Sequence, residues 1–481
     1  MLHADFQRCR VTELRCLGNS LEESEDRESM EPSLPQLGAE TMGGDLRRAS
    51  EKIIAIARTI RALCDHGLLM QIGQNLFRYA ASGQTQHLMS ARRVTPSAAQ
   101  AYDSRLREAW GVVLDLHLTD AAWKRGNLPM KQGGCAFGAI ELRAPAALAA
   151  CWSRTHQYVC RHAGLDSAAE LVQNHPGLAA ELRDATAEIR THTPALFSVP
   201  WEHGDTPAKG VKQKQLMIHF YASARKALLA EMPAKDAAIL RSCGGPGAGG
   251  FMLQQTDSKT LMDNDRFKVS VARRLGGGLR PAIDQSVPCR HSGPSGGCRC
   301  QIDPTGSHGD VCAVGGYVIE RHDRIVPWLA RWLAEGRTGT PPQIEQVLPS
   351  ENGRLDVTFV QDGKPWWVDV AVTSAASSCP RTLAARAKNN GRAARDEEGV
   401  KRSRYRGLAH PFVLEAHGRP GPAALAFVHA FSVDSAIGAS QSAADAWASL
   451  SSVMQSGTAW IEMTAYGKNP ISSGAACVWI P

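Results

Sequence analysis

Residues 354–370 read RLDVTFVQDGKPWWVDV. The dipeptide Asp362-Gly363 sits between two runs rich in Val, Phe and Trp, and a two-residue Asp-Gly turn between such runs is a strong β-hairpin signal. A hairpin closed there sets Asp356 directly opposite Asp369, each six residues from its side of the turn. Their Cβ atoms are then expected roughly 4.5–5.5 Å apart. Two like charges directly opposed destabilise a sheet unless something neutralises them, and a divalent cation bound through carboxylate oxygens does so. Both acids interrupt apolar strand residues, Leu355, Val357, Val368 and Val370. The plainer alternative is an exposed face, since Thr358 and Ala371 share that side of the hairpin.

Working outward, the hairpin belongs to an α/β module. Residues 318–336 form an amphipathic helix, with Ile319, Ile325, Val326, Leu329, Trp332 and Leu333 on one side and Pro327 as a kink or a start. Strands follow at 343–348, 355–360 and 366–373, then a helix over 381–406 and a strand at 412–416. Glu345, one strand upstream, is placed to join the acid pair, with Glu351 as the fallback. A cation beside a scissile phosphate benefits from a nearby lysine, and Lys401 and Lys388 lie on the following helix. Residues 381–406 hold nine Lys/Arg against three Asp/Glu. Arg381, Lys388, Arg392, Arg395 and Arg402 recur at helical spacing, as a face that contacts a phosphate backbone would.

Upstream, Cys298-x-Cys300-x7-His308-x3-Cys312 presents three thiols and an imidazole within fifteen residues. Four N/S ligands around a short loop are what tetrahedral Zn²⁺ requires. Asp303-Pro304 initiates a turn between the two ligand pairs, Cys289 is an alternative to Cys298, and His291 reads as loop.

The rest is organised more loosely. Residues 1–45 combine clustered acids with Ser and Pro and are expected to be disordered. Residues 46–284 read as helices, the first with Ile53, Ala57, Ile60 and Cys64 on one face, and residues 256–280 as the last. The Gly-rich stretch 242–251 lacks a phosphate-loop ending and reads as a flexible connector. Residues 285–316 are the cysteine-rich segment, 317–435 the α/β module, and 436–481 a helix at 443–455 with a terminal extension at 475–480. Trp460 and Trp479 are read as packing residues. The whole chain of 481 residues is 43% hydrophobic with a net charge of +7, too mild to name a partner. No apolar run reaches the ~18 residues of a membrane span, and MLHADFQRCR lacks a secretory apolar segment. Thirteen cysteines without such a leader argue against a disulfide scaffold, so a nuclear or cytoplasmic location is expected.

These motifs together resemble a known family. The C-x-C pair, Asp303-x2-Gly306-x-His308-x3-Cys312, Gly315-Gly316 and Arg321-His322-Asp323 are similar to the zinc knuckle and following helix of non-LTR retrotransposons with a restriction-like endonuclease. Glu345, Arg354-Leu-Asp356, Asp369-Val370 and Glu398-x2-Lys401-x3-Tyr405 resemble that endonuclease's motif series, in the PD-(D/E)XK superfamily. Leu355 replaces the motif proline and Asp323 an asparagine, while Ala371 and Thr373 stand where the standard motif has its second acid and lysine. Leu128-Pro129-Met-Lys-Gln-Gly133-Gly134, Gly244–Gly250 and Phe267-x5-Arg273-Arg274-Leu275-Gly276 resemble the region between polymerase palm and knuckle. No Asp-Asp pair occurs, so the polymerase palm motif is absent.

The resemblance implies a multi-domain protein: an α-helical thumb- or linker-like region, a zinc knuckle, and a small α/β restriction-endonuclease-like domain with a mixed sheet. It implies a DNA endonuclease that nicks a genomic target, with Mg²⁺ or Mn²⁺ on Asp356 and Asp369, Glu345 assisting, and Lys401 and Tyr405 completing the site. Zn²⁺ would sit on Cys298, Cys300, His308 and Cys312. DNA is the implied partner, with element RNA as a second candidate, and no membrane. The rival expectation is a nucleic-acid-binding remnant that no longer cuts.

Overall fold

In a computed structural model, the described residues are 39–467 apart from 194–210, 254, 256–257, 278–286, 295, 303–305, 336, 349–352 and 434–438. The disorder expected for residues 1–45 therefore falls mostly outside them, as do Asp303-Pro304, Glu351, Trp479 and the extension at 475–480. The molecule is mostly helical, 65%, with one small mixed sheet. The first helix, α1 (Ala39–Asp65), begins before the expected Leu46. Then come α2 (Met70–Gly83), α3 (Gln86–Ala91), α4 (Pro96–Leu114), α5 (Asp120–Gly126), α6 (Ile140–Ala163), α7 (Ala168–Asn174), α8 (Pro176–His192), α9 (Gln213–Glu231), α10 (Ala234–Ser242) and α11 (Asn264–Arg274). Ile53, Ala57, Ile60 and Cys64 are buried as their spacing requires, in a core that includes Phe77, Trp110 and Phe137. Trp110 stacks on Phe137 at 4.7 Å and meets Phe77 edge-on.

Two expectations in this region are corrected. The single helix over 256–280 is instead a short 3₁₀ turn at Ser258–Thr260 followed by α11. Asp263 accepts the Arg266 N–H at 2.8 Å and so starts the helix there. The glycine-rich stretch is not a loose connector: Gly244, Gly245, Ala248, Gly249 and Gly250 are buried. A Cβ on Gly250 would lie 2.7 Å from the Ala448 Cα, so glycine is required for two backbones to touch. Arg274 holds the surrounding loops, donating to Gly134 O at 2.8 Å, Met130 O at 2.6 Å and Ala248 O at 3.1 Å.

The cysteine-rich segment has only two-residue strands, β1 (Val287–Pro288), β2 (Ser292–Gly293), β3 (Gly296–Gly297) and β4 (Gln301–Ile302), paired β1–β4 and β2–β3. Helix α12 (Tyr317–Ala334) runs through Pro327. The sheet follows in the order β5 (Gln343–Leu348), β6 (Gly353–Gln361), β7 (Lys364–Thr373), β8 (His410–Glu415), antiparallel except for the parallel β7–β8 pair. Asp362 and Gly363 both have positive φ, 52° and 71°, as the two-residue turn demands.

Val357, Phe359, Val368, Val370, Phe412 and Leu414 pack one sheet face against Ile325, Leu329 and Leu333 of α12 and Phe427 and Phe431 of α15 (Pro422–Val433). Between β7 and β8 the expected helix over 381–406 is broken. It forms α13 (Pro380–Lys388) and α14 (Arg392–Arg404), because Asn389-Asn390-Gly391 intervenes with Gly391 at φ 68°.

The largest departure is at the C-terminal end. Instead of an appendage at 443–455, α16 (Ala439–Ala465) is a 27-residue helix. Leu450 and Met454 join the sheet core, and Met463 meets Val269 of α11. Trp460 is buried beneath the Arg266 guanidinium, 4.9 Å from its ring centroid. Segments expected as separate domains thus share buried contacts. At their junction Arg273 of α11 donates to Asp310 at 2.5 Å and forms an ion pair with Glu462 of α16. Arg321 of α12 donates to the Asp310 carbonyl at 3.1 Å. The chain from Met42 onward forms one compact unit. Among the described residues no helix is long and apolar enough to cross a membrane.

Candidate metal and catalytic sites

The thiol cluster comes together in the knuckle with one substitution. Ligand atoms of Cys289, Cys298, His308 and Cys312 all lie within 4.8 Å of one another. Cys289 Sγ is 4.0 Å from Cys312 Sγ, and Cys298 Sγ is 3.3 Å from His308 Nε2. With Zn–S near 2.3 Å, the edge of a tetrahedral site is about 3.8 Å, so this donor set fits Zn²⁺. Such a Cys₃His cluster could hold a metal such as zinc.

Cys289 takes the place expected for Cys300, whose side chain is exposed. The cause is the β1–β4 pairing, Val287 with Ile302 and Pro288 with Gln301. It lays Cys289 beside the Cys298–Cys300 segment, and the Cys289 N–H donates to the Cys300 carbonyl at 2.9 Å. Burial pushes the Cys312 thiol up to about 12 and also raises Cys289, whereas a backbone hydrogen bond from Cys300 lowers Cys298. His291 is no ligand, but neither is it a bystander. It is buried, stacked on Tyr317 at 4.3 Å, and its Nε2 lies 3.1 Å from the Ile461 carbonyl and 3.0 Å from Thr464 Oγ1 of α16. That bond ties the knuckle to the C-terminal helix.

The second cluster stands on the other face of the sheet. The β6–β7 pairing sets Val357 opposite Val368, the register that the Asp-Gly turn requires. The paired residues end there. One step on, the Asp356 carboxylate accepts the Val370 N–H at 2.6 Å, so a side chain joins the two strands just past their last paired residues. Asp356 is 9% exposed and Asp369 only 4%, which removes the exposed-face reading.

Helix α14 crosses this face and brings Lys401 Nζ to 2.7 Å from Asp369 Oδ2. Tyr405, just past the helix end, places its hydroxyl 3.2 Å from both Asp369 Oδ1 and the Arg354 carbonyl, with one proton to share between the two acceptors. Burial, then the Asp369 charge, raises the Tyr405 pKa and keeps it a donor. The structure also adds His322 of α12, whose Nε2 lies 3.2 Å from Asp356 Oδ2. Its hydrogen bond with Asp356 raises its pKa above the ordinary imidazole value. The sequence named His322 within a motif but gave no strand or helix period that would aim it at Asp356.

Glu345 does not share these contacts. It lies beside Asp356 in the β5–β6 register, but with φ at 62°, and its carboxylate pairs with the exposed Arg354. Glu398 is likewise committed elsewhere, accepting the Ala423 N–H at 2.9 Å at the start of α15.

The basic residues Arg381, Lys388, Arg392, Arg395 and Arg402 are all exposed, but the helix break divides them between α13 and α14 instead of aligning them on one face. Arg392 pairs with Asp396 at 2.7 Å and Arg402 with Glu398 at 3.3 Å.

Comparison with known proteins gives no matching family model and no matching curated protein.

Proposed function

We propose that the chain is a metal-dependent endonuclease that hydrolyses phosphodiester bonds in DNA, derived from a retrotransposon open reading frame. One observation carries this reading. Asp356, Asp369, Lys401 and Tyr405, drawn from two strands and a helix, meet on a sheet face where two buried acids stand side by side. Buried charge is costly unless it is neutralised or used, and such clusters concentrate at functional sites.

The donor set is hard oxygen, suited to Mg²⁺ or Mn²⁺ and not to a thiophilic ion. A divalent cation on Asp356 and Asp369 would supply a lowered water pKa and charge stabilisation at the phosphate. Lys401, 2.7 Å from Asp369, would supply a positive charge to the phosphate, and Tyr405 fixes the Asp369 carboxylate by its hydroxyl. His322, beside the same Asp356 oxygen that accepts the Val370 N–H, helps to orient that carboxylate. The Cys₃His site would hold Zn²⁺ as a structural ion within the segment that His291 ties to α16.

The test is supercoiled plasmid with Mg²⁺ or Mn²⁺, using the full chain beside Asp356→Ala and Asp369→Ala. The expected result is nicking by the parent alone. Equal cleavage in all three preparations, or none in the parent, ends the nuclease assignment; in the latter case retained DNA binding favours the remnant.

A further inference from the structure

A second cluster of like charges lies away from both sites. An open groove of about 700 Å³ runs between the Leu128–Gly134 loop, α9, α10 and the α13–α14 break. Six cationic side chains line it, Lys131, Arg225, Lys226, Arg241, Lys388 and Arg419, and no carboxylate does. None of the six forms an ion pair among the described residues.

The crowding is specific. Arg225 and Arg241 donate to the same neutral oxygen, Asn390 Oδ1, at 3.1 and 2.9 Å. Arg419 donates to the Arg241 carbonyl at 2.7 Å, and Arg241 to the Ala387 carbonyl at 2.6 Å. Burial, together with the Arg241 and Arg419 charges, pushes Arg225 down to about 10. Glu415 interacts with Arg419, but it accepts the Ala394 N–H at 3.1 Å and does not line the groove. Guanidinium groups held together by carbonyls and one amide, with no carboxylate lining the groove, have donors to spare, which is the arrangement an anion completes.

We propose that this groove binds the phosphate backbone of a nucleic-acid strand. The need for an anion stands on the groove alone, whereas the choice of nucleic acid rests on the nuclease reading. The spread of its six cations over five chain segments suits a polyanion better than a single phosphate. From Asn390 at its edge to Lys401 at the acid pair is about 16 Å along the chain at helical rise. That is the span of only a few phosphates along a strand. A strand held at the groove would thus be tethered a short distance from the cutting site.

The test is fluorescence anisotropy with a labelled single-stranded oligonucleotide, using the full chain. Lys131→Glu/Lys226→Glu/Lys388→Glu changes three exposed residues, and Lys52→Glu/Arg58→Glu/Lys214→Glu makes the same charge change elsewhere. The groove variant should bind at least tenfold more weakly and lose about 2 from the salt slope, each phosphate contact contributing about 0.7. The control variant should bind as the parent does. Equal weakening in both, or none in either, overturns the proposal. So does groove-dependent binding to phosphatidylserine vesicles without oligonucleotide binding. Plasmid nicking is read separately: a groove-dependent loss of binding with no nicking removes the nuclease reading and leaves the groove.

Discussion

The thiol cluster and the carboxylate cluster set similar problems and meet them differently. In the knuckle, four donor groups face one another from positions just past two-residue strands and on either side of a 3₁₀ turn, Gly309–Val311, and no lysine or arginine stands among the four. At the acid pair, Lys401 and His322 already approach the carboxylates and a four-stranded sheet fixes their spacing. The carboxylate site can therefore hold its shape without a cation, whereas the four donors of the knuckle, although His291 anchors the segment around them, have no charged partner to fill the space between them. A metal would be architectural at the first and chemical at the second.

The strongest way to break this contrast is to remove metal. Chelation of one equivalent of zinc should lower Tm by at least ~5 °C, followed by calorimetry alongside atomic absorption. Cys289→Ser should do the same, while Cys300→Ser keeps its zinc and its Tm; the reverse pattern would return the ligand to Cys300. At the other cluster, Lys401→Ala should reduce plasmid nicking on the order of a hundredfold. Its zinc content should be unchanged.

A third buried acid sharpens the comparison by having neither ion nor lysine. Asp103 accepts the N–H groups of Ile140 at 2.8 Å and Glu141 at 3.1 Å at the start of α6, and burial pushes it up to about 7. Because the folded value lies above the unfolded one, its stabilising contribution is complete below about pH 4. It is lost as pH rises toward 7. Asp103→Asn should flatten the stability profile across that window in urea titrations, at the cost of one N–H acceptor. The smallest effect is expected for Glu345→Gln, with nicking within about threefold of the parent, since that carboxylate serves Arg354. A loss near that of Asp369→Ala would put Glu345 back in the site.

What could be read from the sequence follows the range of the interactions. The hairpin was legible because its register depends on two turn residues, and Asp356 and Asp369 are found where the turn sets them. Lys401 and Tyr405 came from a motif resemblance and do reach Asp369. The fourth thiol was misread because the β1–β4 pairing is two residues long and leaves no alternating pattern. The break at Asn389-Asn390-Gly391 was masked by good helix formers on both sides, so a basic stripe was drawn across it. Neither His322 nor the groove around Arg225 and Arg241 has a local signature, since each is assembled from distant segments.

Helix α16 adds a constraint on how the protein is made. Its residues bond to chain segments laid down far earlier: Ser452 to the Thr260 carbonyl, Ser451 to the Phe251 N–H at 3.1 Å, and Gln71 to Ser452 at 3.5 Å, a separation of 381 positions. During synthesis the ribosome must deliver this helix before the N-terminal core, the knuckle and the sheet can close on one another. Until then the apolar faces that await it are exposed to chaperones and to aggregation. A premature stop ahead of Ala439 would therefore cost the nascent chain its closing step, although every proposed catalytic residue had already been translated.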